Sequence, residues 1–169
     1  MYKRQTINRP ESHNAISLET LDELNNAVDL ATSDESVKVI AIIGAGGKYF
    51  ASGSDLNEVL DRDLKKALEP IIQGLAEKLE KTPKPTIAGI DGICMGGGLE
   101  VAFGCDLRIA TPDSKFATPE GKLGIIPGGG ETVRLPRIIG KGWGMEMLLM
   151  GDPIDAERAF QIGLITRLV

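Results

Sequence analysis

The sequence predicts an α/β fold in one domain, and three observations carry that reading. Short β-branched apolar runs such as Val37–Ile43 and Thr86–Ile90 have the pattern of buried strands. Between such runs, segments such as Ser17–Thr32 repeat apolar residues at helical spacing. No linker, charge block, repeat or low-complexity tract divides the 169 residues, so 1–169 is read as one unit, long enough to bury roughly 70% of the surface its unfolded chain exposes.

Taken in order, Thr6–Pro10 reads as the end of a strand whose first half is missing, since Met1–Gln5 is polar. Ser17 is an N-cap candidate, and Leu18, Leu21, Leu24, Val28 and Ala31 mark the buried face of the helix it opens. Val37–Ile43 is a strand covered on both sides, ended by Gly44–Gly47. A loop through Phe50–Asp55 leads into a short helical stretch within Leu56–Glu69. Pro70 opens an amphipathic helix to Lys81, which Pro83 and Pro85 stop. Thr86–Ile90 is the next strand, followed by a glycine turn and an apolar helix from Gly96. Asp106–Ala110 and Ser114–Ala117 are short strands, and a loop rich in glycine and proline runs to Gly130. Helices are expected over Glu131–Ile139, disturbed at Pro136, over Trp143–Met150 and over Ala156–Ile162, with a last strand in Leu164–Val169.

Composition excludes several function classes. With 19 Lys and Arg against 24 Asp and Glu, a net charge of -5 and 4% aromatics, a basic, stacking nucleic-acid groove is not expected. An anionic ligand must then be held by local donors. Cys94 and Cys105 define neither a disulfide framework nor paired zinc-ligand spacing, which fits a reducing compartment. No apolar run approaches the roughly 18 residues of a membrane span, and no long apolar leader opens the sequence; a cytoplasmic protein without a membrane partner is expected. The phosphate loop fails because Tyr49 follows Gly47-Lys48 and Ile42 stands where its first glycine belongs. The dinucleotide fingerprint fails because Gly44 and Gly46 lack a third glycine at the required spacing. The single histidine, His13, supports neither a paired-histidine metal site nor a triad, and reads as a solvated loop residue. No metal ligand is assigned.

Carboxylate chemistry remains. In Gly96-Gly97-Gly98-Leu99-Glu100 three glycines enter a helix, although each is roughly 1 kcal/mol worse there than alanine. Close backbone approach to a ligand is one reason to accept that loss, and the N–H groups of a first helical turn lack intrahelical acceptors. Glu100 then lies on a helix continuing Val101-Ala102-Phe103, where a buried carboxylate is unfavourable unless partnered or functional. Glu120, after Pro119, is separated from it by enough chain for a helix, a strand and a turn, so it can return to the same cleft. A glycine turn serving only close packing, and two solvated glutamates, are the competing readings.

Asn8-Arg9-Pro10 with Asn14-Ala15, Phe50 to Leu56, Gly96 to Glu100, Pro119-Glu120 and Leu123 to Gly128 occur in an order and spacing that resembles the crotonase superfamily, the enoyl-CoA hydratases and isomerases. The resemblance covers nearly the whole chain. It implies a spiral of repeated ββα units and an enoyl-CoA hydratase of fatty acid metabolism, a lyase. Its backbone N–H groups of Ser54 and Gly97 form the oxyanion hole for a thioester. It further implies an acyl-CoA site of Ala51, Ser52, Gly53, Ser54, Asp55, Leu56 and Gly97. By the same resemblance Glu100 is expected to act on water and Glu120 to deliver a proton to carbon. Coenzyme A is part of the substrate and no cofactor is expected. An isomerase using one carboxylate and a non-catalytic assembly subunit are the alternatives.

Crotonase-like chains continue into C-terminal helices that complete the acyl pocket and join subunits as trimers or dimers of trimers. Here the sequence stops within an apolar run at Val169, so we expect a fragment lacking that helical region. Met1–Gln5 also match one translated frame of a transposon adapter end, GTG-TAT-AAG-AGA-CAG with GTG read as a start. A cut at the point of adapter insertion and an ordinary polar terminus are both consistent with those five residues.

Overall fold

Two largely parallel sheets organise the chain, and each successive turn of the backbone adds one strand to each of them. A computed structural model of the chain describes residues 1–60 and 71–169. Its strands are β1 (Tyr2–Ile7), β2 (Val39–Gly44), β3 (Tyr49–Ala51), β4 (Thr86–Ile90), β5 (Ile93–Met95), β6 (Leu107–Ala110), β7 (Lys115–Ala117), β8 (Ile154–Asp155) and β9 (Arg167–Leu168). The larger sheet runs β1-β2-β4-β6-β9 with every pairing parallel. The smaller runs β3-β5-β7-β8, parallel except for β7 with β8. The pairs β2 and β3, β4 and β5, and β6 and β7 each place one strand in either sheet before a helical segment, which is the repeated ββα spiral.

The helices are α1 (Leu18–Ser33), α2 (Leu56–Leu60), α3 (Ile71–Lys81), α4 (Gly97–Phe103), α5 (Glu131–Ile139), α6 (Lys141–Met150) and α7 (Ala156–Gln161). Ser17 caps α1 as its residue type predicts, its hydroxyl accepting the Thr20 N–H at 3.2 Å. α3 buries Ile72, Leu75, Ala76 and Leu79 on one face. It stands between α1 and α4. All seven residues of α4 are buried, so the helix that carries Glu100 runs through the core beside Phe50, Leu75 and Leu135. No helix among the described residues is long and apolar enough to cross a membrane.

Several expectations need correction. Tyr2–Gln5 is not a strand's missing half: it forms the first part of β1, paired in parallel from Tyr2 opposite Val39 to Ile7 opposite Gly44. Its polar side chains are tolerated because most of that stretch is exposed. β2 is fully covered on one face only, with Ile40 and Ile42 buried and Ala41 and Ile43 half-buried. β3 and β5 were not expected as strands; three residues each are too few to show a period. Leu18 is exposed rather than part of the buried face of α1, and its N–H is held by Glu58 at 2.8 Å. α5 continues through Pro136, which has no N–H to give the helix, with Leu135 and Ile139 buried on either side of it. The expected terminal strand shrinks to Arg167 and Leu168. Pro70 as a helix start, and residues 61–69, lie outside the described residues.

Candidate active site

The three glycines after β5 each answer a different steric demand. At Gly96 the backbone takes φ 49°, and a β-carbon would stand 2.7 Å from Glu120 Oε1. At Gly97 it would stand 2.6 Å from Ile72 Cδ1 and 2.9 Å from Ser54 Oγ, and at Gly98 it would strike the Ala51 carbonyl. The glycines therefore let the start of α4 press against the Ala51–Leu56 segment from one side and against Glu120 from the other.

That contact brings two N–H groups to one place. The Ile16 N–H donates to Gly53 O at 2.8 Å and the Asp55 N–H to Ile16 O at 3.0 Å. In such a parallel bridge the Ser54 N–H faces the other side, where the Gly97 β-carbon position is 3.1 Å from Ser54 N. Gly97 begins α4, so its N–H has no intrahelical acceptor. The pair opens on a cleft of about 510 Å³ whose walls include Ser52, Gly53, Ser54, Asp55, Leu56, Gly96, Gly97 and Glu120. Ala51, the remaining residue of the expected acyl-CoA segment, is fully buried in β3 beneath it.

The loop is held by the Asn8-Arg9-Pro10…Asn14 segment. Asn14, wholly buried at φ 54°, accepts the Arg9 N–H at 2.9 Å and donates to Ala45 O at 2.9 Å and Tyr49 O at 2.6 Å. Arg9 donates to Ala15 O at 2.7 Å and pairs with Asp55 at 3.3 Å. His13 is exposed, in keeping with its reading as a solvated loop residue, and it stacks on Tyr49 with ring centroids 4.5 Å apart at the rim of the cleft.

Glu100 is 3% exposed and Glu120 9%. Glu120 sits on a 3-10 turn, Pro119–Leu123, anchored by the preceding Thr118, whose hydroxyl donates to Met147 O at 2.6 Å. Burial raises the Glu120 carboxyl above its usual range. Glu100 lies behind the cleft wall, where the Gly128–Gly130 loop closes on it: Oε1 accepts the Gly129 N–H at 2.5 Å and the Glu131 N–H at 3.5 Å. Burial lifts Glu100 to about 7 against those hydrogen bonds, and the Glu120 charge adds to the rise. Both carboxyls are thus held above the ordinary range, and they titrate as a coupled pair.

Sequence reasoning missed a third carboxyl. Glu131, the first residue of α5, is 0% exposed, and neither of its side-chain oxygens has a hydrogen-bond partner among the described residues. An acid in a first helical turn ordinarily complements the dipole at the surface, so its residue type gave no signal. Cys94 and Cys105 are buried free thiols, each pushed up by that burial.

Comparison with known proteins gives this geometry its setting. A crotonyl-CoA hydratase of Syntrophomonas wolfei is 40% identical over 165 residues, 96% of this chain and 64% of that protein. A short-chain-enoyl-CoA hydratase of Clostridium acetobutylicum is 37% identical, with 97% of this chain matched to 64% of it. The crystal structure of an enoyl-CoA hydratase from Bacillus anthracis superposes with a TM-score of 0.94 at 36% identity, covering 98% of this chain and 65% of that one. The chain thus spans a little under two thirds of the relatives it matches. The family model described as enoyl-CoA hydratase/isomerase matches residues 4–169, and with these relatives and the shared spiral it follows that the chain belongs to the enoyl-CoA hydratase/isomerase family.

Proposed function

We propose that this chain carries the catalytic core of an enoyl-CoA hydratase, adding water reversibly across the double bond of a 2-enoyl-CoA thioester. The observation that carries the reading is the placement of buried Glu120 in the cleft of the Ser54 and Gly97 N–H groups, with buried Glu100 behind its wall. Hydration puts negative charge on the thioester oxygen as the water oxygen bonds to the β-carbon. Two aimed donors stabilise that charge, each by roughly 3 kcal/mol. The water gives its proton to one carboxylate, a protonated carboxyl gives one to the α-carbon, and the sum is one added water. Such acid-base help contributes roughly 10²–10⁴-fold.

The roles implied by the resemblance, Glu100 to water and Glu120 to carbon, put the pair's proton on Glu120 when substrate is bound. In the free cleft burial raises both carboxyls, Glu100 to about 7. Bound substrate changes the surroundings of both, so the pH profiles of kcat and kcat/KM should differ, since they report bound and free enzyme respectively. Coenzyme A enters as part of the substrate, along the Ala51–Leu56 segment, and no further cofactor is required. The names of the two hydratase relatives support a short acyl chain and make crotonyl-CoA the first substrate to test. Exposed Trp143, Met145, Leu149 and Met150 on α6 support homo-oligomers, trimers in the complete protein, and the absence of a membrane-length helix among the described residues suits a cytoplasmic enzyme.

One observation favours isomerisation as a second reading: Glu120 lines the cleft whereas Glu100 does not, and moving a double bond requires one carboxylate only. Loss of the enoyl absorbance of crotonyl-CoA supports hydration. Conversion of a 3-enoyl-CoA to its 2-enoyl isomer without consumption of crotonyl-CoA would replace it with the isomerase reading, and neither reaction in a folded sample would support the non-catalytic one.

A further inference from the structure

We propose that Glu131 is a positioning residue of this site, a third carboxyl that stays protonated while Glu100 and Glu120 change charge, and so confines negative charge to that pair. The proposal rests on the hydratase reading for its role, but its observations are independent of it. Glu131 is 0% exposed, and both carboxyl oxygens lack partners among the described residues. Glu120 Oε2 is likewise buried without a partner, so orphaned acceptors occur on two members of the same cluster. The Glu131 main chain is already part of the site through the 3.5 Å approach of its N–H to Glu100 Oε1. A carboxylate in such a place would be both desolvated and unpaired, whereas the neutral acid avoids the larger penalty.

The groups around it leave little compensation. Glu100 on α4, Glu120 on the 3-10 turn and the Cys94 thiol on β5 are its electrostatic neighbours. Of the two cations on its own helix, Arg137 is exposed and Arg134 is directed to Glu80 at 2.8 Å and to Gly129 O at 3.1 Å. Burial raises Glu131 well above the carboxylate range, and the charges of Glu120 and then Glu100 raise it further. All three carboxyls are thus held above the ordinary carboxylate range, and each charge in the cluster opposes the next. Once Glu131 does ionise, its charge opposes both its neighbours and the developing enolate.

The test is a carboxyl titration of the whole chain with ¹³C-labelled glutamate, run beside the pH profile of crotonyl-CoA hydration. Wild type should show a carboxyl step well above the usual carboxylate range that is absent in Glu131→Gln. In Glu100→Gln and Glu120→Gln that last step should move to lower pH, because a neighbouring charge is gone. Hydration by wild type should fall on an alkaline limb as the pair loses its proton, and the ionisation of Glu131 should steepen that limb, a steepening that Glu131→Gln lacks. A late-titrating carboxyl that persists in Glu131→Gln, or a last step unmoved by both neighbouring substitutions, overturns the proposal. So does an identical alkaline limb in wild type and Glu131→Gln. If the titrations behave as expected and crotonyl-CoA is untouched, the hydratase reading fails while the protonated third carboxyl stands. If Glu131→Gln does not fold, the neighbouring substitutions decide the matter alone.

Discussion

The Glu100 carboxylate is gripped by a main-chain N–H that lies 29 residues further along, that of Gly129, at 2.5 Å. A β-carbon on Gly129 would overlap Glu100 Oε2. The loop between the 3-10 turn and α5 can therefore close on Glu100 only if that position has no side chain.

Gly129→Ala should displace Glu100 or the loop without removing any chemical group. A fall of about 10²-fold in crotonyl-CoA turnover is expected, with the circular dichroism of the fold retained, since misplacement of a catalytic group by about 1 Å has that effect. Turnover within twofold of wild type would mean that the contact does not set the geometry of Glu100.

Glu100→Gln and Glu120→Gln keep size and shape and remove ionisation. Each should lower kcat by about 10²–10⁴-fold while acyl-CoA affinity, read by calorimetry, stays near normal. Ordinary turnover in either variant removes that residue from the reaction.

Gly97→Pro deletes the proposed donor at a helix position that otherwise accepts proline. The ring also meets Ile72 and Ser54, so the variant's fold must be verified by its thermal transition. In a folded sample kcat should drop by about 10²–10³-fold, the loss expected when one oxyanion donor is removed.

Stability should respond to pH with a sign opposite to that of a salt-bridged acid. Glu100 is raised from 4.5 to about 7, so between those values the folded state binds the proton that the unfolded chain releases. Its contribution is complete below about 4.5 and disappears as pH rises through 7, a difference of about 3 kcal/mol. Glu120 and Glu131 shift in the same direction. Glu100→Gln should therefore unfold at a higher urea concentration than wild type at pH 8 and at nearly the same one at pH 4.5, because a neutral amide can still accept from Gly129. An equal gap at the two pH values would mean that Glu100 is not the group responsible.

Much of this architecture was legible because its signals are local. Ser17 as a cap, the β-branched run of β4 and the apolar face of α3 each follow from neighbours a few residues apart. The glycines of 96–98 pointed to a close approach before the partners, Ala51, Ser54 and Glu120, were known. What stayed hidden depends on tertiary contact. β3 and β5 are strands because parallel neighbours accept them, and Asn14 matters through carbonyls 31 and 35 residues away. Glu131 was illegible for a related reason, since nothing local distinguishes a first-turn acid facing solvent from one driven into the core.

The spiral also sets the order in which the site becomes usable during synthesis. The Ala51–Leu56 segment and α4 bring the N–H pair of Ser54 and Gly97 together as soon as the second and third turns have emerged. Glu100 lies on the same helix, yet the N–H that steadies its charge belongs to a loop made later. Emergence of Gly129 and the docking of α5 are the events that license its ionisation, so the anion hole precedes the acid-base pair in the life of each molecule.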